Sequence, residues 1–157
     1  MAHASPHTTL QDELKLINCL IDLMKQEQEF LVASNTDGLQ TLTPLKTQLV
    51  EQLSQISAKR HASLQHDGFD ASEAGMESWL MSMSNPAASA SWQQLLSATR
   101  EAKELNRVNG MLINKQLTNT HTLMNAMRAP ANAADTAFYG PSGQATAVSR
   151  KRGLVVG

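Results

Sequence analysis

What this chain of 157 residues lacks narrows its possibilities first. A single cysteine, Cys19, leaves no internal disulfide to stabilise it, and its setting in Leu16-Ile17-Asn18-Cys19-Leu20 reads as a small half-buried hydrophobe. Only six aromatics are present, Phe30, Phe69, Trp79, Trp92, Phe138 and Tyr139. A core must then be built mainly from Leu, Ile, Met and Ala, which favours helix packing over a β-sandwich. Net charge is −1, so no overall field draws the chain toward nucleic acid or anionic lipid. No apolar run approaches the ~20 residues a bilayer demands, which argues against stable membrane insertion. The start, Met1-Ala2-His3-Ala4-Ser5-Pro6, has neither the basic nor the apolar region of a signal peptide, and a cytoplasmic location is expected.

Catalytic patterns are missing as well. The sequence holds no Gly-rich phosphate loop, no Gly-x-Ser-x-Gly, no Cys cluster and no His and Glu paired on one helix turn, so no enzyme and no cofactor is expected. His3 and His7 have the spacing of metal ligands. They flank Pro6 ahead of the first helix, and a metal site needs three or four ligands, so a disordered N-terminus without metal is the expectation. The terminal Arg150-Lys151-Arg152 offers too few charges to hold phosphate or lipid by itself.

With 41% hydrophobic and 17% charged residues, the chain suits one domain with a modest core. Its five prolines, Pro6, Pro44, Pro86, Pro130 and Pro141, punctuate stretches of helical period. The first helix is expected from about Thr8 or Thr9 to Ser34, with Asp12 and Glu13 in its first turn. Its seam is Leu10, Leu14, Ile17, Ile21, Met24, Gln28 and Leu31, with Leu16, Leu20, Leu23 and Phe30 beside it. After a turn at Asn35-Thr36-Asp37-Gly38, Thr43-Pro44 reads as the cap and first position of a second helix lined by Leu42, Leu45, Leu49, Leu53 and Ile56. That helix should fray past Arg60 and break at His66-Asp67-Gly68. Asp70-x-x-Glu73 resembles a capping box opening a short helix with Met76, Trp79, Leu80 and Met83 on one side. This row is either a lid over the core or an adaptable binding surface.

Ser91 to Met127 contains no proline and predicts a fourth helix on the order of 55 Å long. Its seam reads Trp92, Leu95, Thr99, Ala102, Asn106, Asn109, Ile113, Gln116, Thr120, Leu123, Met127, so five of eleven positions are polar but uncharged. Such a helix is suited to reversible pairing. The expected class is all-α: an antiparallel helical bundle or coiled coil with a long C-terminal helix, a helical domain over residues 1–128 and a flexible tail over 129–157. The tail is rich in Ala, Asn, Thr, Gly and Ser, with Phe138-Tyr139-Gly140 as an aromatic anchor. Charge divides unevenly: residues 1–80 carry 11 acids and 5 bases, residues 81–157 carry 3 and 8. Oppositely charged helix faces packing together account for this, as do different partners for the two halves.

At Leu105-Asn106-x-x-Asn109-Gly110-x-Leu112-Ile113, followed by Phe138-Tyr139-Gly140-x-x-Gly143-Gln144, the chain resembles the FlgN family of flagellar export chaperones. The resemblance implies a cytoplasmic protein that binds the C-terminal helices of the hook-filament junction proteins FlgK and FlgL. Such a chaperone prevents their premature association and delivers them to the type III export gate. It further implies that Leu105, Leu112, Ile113 and Leu123 grip the client helix. Asn106, Asn109, Gln116 and Thr120 would set register by hydrogen bonds, and Gly110 would allow close approach or a bend. Phe138, Tyr139 and Gly140 become the contact with the export gate. The alternative is a structural coiled-coil protein in which these amides pair internally or across a homodimer.

Overall fold

In the computed structural model, residues 3–128 are described, and they form a short 3-10 helix, Pro6–Thr9, and four α-helices. These are α1 (Leu10–Val32), α2 (Thr36–His66), α3 (Glu73–Met83) and α4 (Pro86–Arg128), with no strand among the described residues, so the all-α expectation holds. The chain divides into two compact units, Met1–Asn109 and Gly110–Gly157. Of the second, the described part is the end of α4. The expected tail and its Phe138, Tyr139 and Gly140 lie outside the described residues.

Within the first unit, α1 is the spine. Leu10, Ile17, Leu20, Ile21, Leu23, Met24 and Leu31 are buried, as the two rows in its sequence require, and Asp12 and Glu13 sit in the first turn where the helix dipole favours them. Fully burying such a side chain contributes about 1.5–3 kcal/mol. Two acids that neither row included, Glu13 and Glu27, are buried as well. Cys19 is exposed rather than half-buried, because it falls on the face of α1 opposite the seam.

α2 begins earlier than Thr43-Pro44 suggested. Asn35 Oδ1 accepts from the Gly38 amide at 2.9 Å and Asp37 lies in the first turn, so a complete N-terminus exists before the proline is reached. Pro44 then sits inside the helix. Its missing N–H leaves the Gln40 carbonyl without a helical donor, and both residues are exposed, where water can replace it. The predicted fraying past Arg60 is also overturned: Arg60, Ser63 and Leu64 are the buried residues of the last turns, and Leu64 is fully buried. Of the expected α2 face, Leu42 is buried, Leu49 and Leu53 pack partly against the core, and Leu45 stands exposed. The helix stops at His66, with Gly68 in the left-handed region at φ 85°.

The N-terminal residues are ordered against this end of α2, contrary to the disordered segment expected. Pro6 is buried, and the His7 ring stacks on Trp79 with centroids 5.5 Å apart. The cap of α3 is Ser72, whose Oγ accepts from the Gly75 amide at 3.0 Å, so Asp70 is not the first member of a capping box. Gly75 is required by close approach, since a Cβ there would stand 1.9 Å from the Asp70 carbonyl oxygen. Met76, Trp79 and Leu80 belong to the core, whereas Met83, assigned to the same row, is exposed. α4 starts at Pro86, five residues before Ser91. Proline occupies a first-turn position needing no donor, and Asn85 Oδ1 caps the Ala88 amide at 3.1 Å.

Candidate functional site in the long helix

The segment singled out in α4, Leu105 to Leu123, spans both units. Its beginning is interior. Leu105 packs partly against the core formed by Ile17, Met24, Trp92, Leu95 and Ala102. Asn109 is 1% exposed, and its Nδ2 donates to the Met24 carbonyl at 2.9 Å and to Glu27 Oε1 at 2.8 Å. Buried Glu27 also accepts from Lys46 Nζ at 3.1 Å and 3.3 Å, and the same ammonium donates to Asn106 Oδ1 at 3.1 Å. Asn106 is thus exposed yet tied to α2. The two asparagines hold α4 in register with α1 and α2, through a carboxylate that burial would make costly without these donors.

A second polar cluster lies deeper in the same unit. Arg60 meets Glu13 through Nε at 3.0 Å and through Nη2 at 3.2 Å, with its guanidinium carbon 4.9 Å from the centroid of the Trp92 ring. Sequence reading missed Glu13, Glu27, Lys46 and Arg60. The available signal was positional: Glu13 and Glu27 each fall between apolar seam residues of α1, and a carboxylate on a seam demands a buried cation or amide.

In the second unit the described stretch is a helix with large apolar side chains in the open. Met111, Ile113, Leu117, Leu123, Met124 and Met127 are all exposed. Leu112 and Gln116 are half-buried, and Thr120 is exposed with its hydroxyl donating back to the Gln116 carbonyl at 2.9 Å. Gly110 is half-buried, and a Cβ placed on it would meet nothing within 4 Å. No close approach among the described residues therefore requires glycine there.

Just ahead of Gly110, Arg107 forms two short bonds to Glu104, 2.9 Å from Nε and 2.7 Å from Nη2. The hydrogen bond from Arg107 holds the Glu104 carboxyl below the usual glutamate range, and the pairing raises Arg107 in turn. No helix among the described residues is long and apolar enough to cross a membrane.

With this geometry established, likeness to known proteins is informative. The chain matches the FlgN protein family over residues 1–147. It is 27% identical over 139 residues to the flagella synthesis protein FlgN of Proteus mirabilis, covering 87% of each chain. No solved structure matches it. The family match includes all four helices and the asparagine-bearing segment of α4, and on that extent the chain belongs to the FlgN family.

Proposed function

We propose that this protein is a cytoplasmic flagellar export chaperone that binds the C-terminal helices of the hook-filament junction proteins FlgK and FlgL. It keeps them apart before export and brings them to the export gate. Membership of the FlgN family supports the chaperone role in flagellum biogenesis. The observation that supports the client site is the row of exposed Ile113, Leu117, Leu123, Met124 and Met127 at helical spacing on the second unit. An amphipathic client helix laid along that row would remove it from water, and methionine adapts to more than one partner.

On this reading the residues of the segment divide their work. Leu112, Ile113 and Leu123 grip the client, Gln116 and Thr120 offer polar contacts along it, and Gly110 leaves room for a second backbone. Leu105, Asn106 and Asn109 act from inside, by fixing the register of α4. Phe138, Tyr139 and Gly140 serve as the contact with the export gate.

Light-scattering chromatography of the protein alone and mixed with a C-terminal FlgK peptide tests the proposal. A monomer that becomes a one-to-one complex is the expected result, lost in the Leu112→Glu, Ile113→Glu double variant while circular dichroism stays helical. A stable dimer indifferent to the peptide would sink it and favour self-association of the exposed row. For the gate, Tyr139→Ala should weaken capture by the export gate without affecting peptide binding.

A further inference from the structure

Three ligand atoms, one from the N-terminal segment and two from neighbouring residues, converge where α2 ends. His66 Nδ1 lies 3.4 Å from Asp67 Oδ1, and His3 Nε2 lies 3.9 Å from the same oxygen. All three atoms are within 4.8 Å of one another. Both nitrogen-to-oxygen distances exceed the about 2.7–2.9 Å of a charge-assisted hydrogen bond, so the oxygen is approached twice and well satisfied by neither.

The carboxylate is also oriented from behind. Its other oxygen, Oδ2, accepts from Trp79 Nε1 at 3.0 Å, and Trp79 is buried in the core. An outer partner of this kind is what holds a metal-ligating carboxylate in place. The location adds a third contribution. His66 closes α2, whose negative dipole end favours a cation; His3 Nε2, 3.4 Å from the Ser63 carbonyl of its last turn, would give up that bond and its proton to coordinate an ion.

The geometry points to a binding site for one divalent transition-metal ion of the zinc class, held by His3 Nε2, His66 Nδ1 and Asp67 Oδ1, with water completing the shell. Two imidazoles and one carboxylate suit zinc better than magnesium or calcium, which prefer all-oxygen shells. Tetrahedral bonds of about 2.0–2.1 Å place ligand atoms about 3.3 Å apart, so closure needs small movements. The two imidazole rings are stacked, with centroids 3.7 Å apart and planes 25° from parallel. Bringing both nitrogens onto one ion requires the rings to turn, which exposed side chains allow. The ion would fasten the N-terminal residues to the end of α2 and close a long loop, stabilising the first unit by mass action.

The test is a Zn2+ titration of the untagged full-length protein, followed by calorimetry and by tryptophan fluorescence, since Trp79 touches the proposed ligand Asp67. One site with a fluorescence change is expected, weakened by about tenfold or more in His3→Ala and in His66→Ala. Asp67→Asn should weaken it too while keeping an acceptor for Trp79, and His121→Ala should leave it unchanged. His3 lies outside every helix, so its effect cannot be mistaken for unfolding. Absence of zinc binding overturns the assignment. So does binding that survives either His3→Ala or His66→Ala, because the ion would then sit elsewhere.

Discussion

Residues 86–109 and residues 110–128 belong to one helix and carry one continuous stepped seam, yet their surroundings are opposite. In the first stretch Trp92, Leu95 and Ala102 are 2%, 5% and 6% exposed, while in the second Ile113, Leu123 and Met127 are 42%, 62% and 73% exposed. The polar members of the seam differ in the same way. Asn106 and Asn109 reach Lys46, Glu27 and the Met24 carbonyl, whereas Thr120 turns its hydroxyl back to its own helix. Periodicity announces a face; it says nothing of what covers that face. A seam that is buried in its first half and open in its second is suited to a chaperone that must stay folded while it offers a surface to a partner.

The contrast is sharpest in stability. Trp92→Ala should cost about 3–5 kcal/mol in urea unfolding, and Leu123→Ala should stay within about 0.5 kcal/mol. Equal losses would break the comparison by showing that the second stretch is covered in the free protein. Arg60→Leu should approach the Trp92 effect, at about 3 kcal/mol or more, because it takes the cation from the buried Glu13 carboxylate and leaves it the neutral Thr9 hydroxyl. Glu13 is buried and bonded to Arg60, which makes this a test of charge pairing.

Amides come next. Asn109→Ala should cost about 1–3 kcal/mol, since Glu27 and the Met24 carbonyl each lose a donor in a dry setting. Thr120→Ala should instead leave stability unchanged or raise it by a few tenths of a kcal/mol, alanine being the better helix former. Opposite in sign to the Asn109 loss and larger than the Thr120 effect, Gly110→Ala should stabilise the helix by about 1 kcal/mol, because no atom of the described residues stands where its Cβ would go. If the same variant weakens a client complex, glycine is there for the partner's backbone rather than for this chain's.

The smallest effect belongs to Glu104 and Arg107, which are exposed. Arg107→Ala should move the Glu104 carboxyl titration, followed by NMR, upward to the ordinary glutamate range. The sign follows from linkage: a carboxyl held low in the folded state adds stability above its unfolded value, and that stability is lost as pH falls through the folded one. Exposure to solvent keeps the contribution slight.

Much of the fold was readable in the residue order. The row Leu10 to Leu31, the break at Gly68 and the long run ending near Met127 emerge as expected, whereas three of the four residues read as the turn Asn35-Thr36-Asp37-Gly38 already belong to α2. Helix starts were less readable. Thr43-Pro44 looked like an N-terminus because proline is welcome there, but Asn35 caps the helix first, and Pro44 lies on a wet face that tolerates the lost bond. The N-terminal histidines looked idle because His3 finds His66 and Asp67 only after the whole of α1 and α2 has folded between them.

Helical content, the number of helices and the apolar rows follow from interactions among residues three or four apart, which any segment carries with it. Which of those rows would be interior was decided elsewhere. Asn109 became a buried strut because Glu27 and the Met24 carbonyl stand opposite it, while Ile113, one turn on, is exposed. Such pairing depends on how three helices are set against one another, a register that only the assembled core imposes.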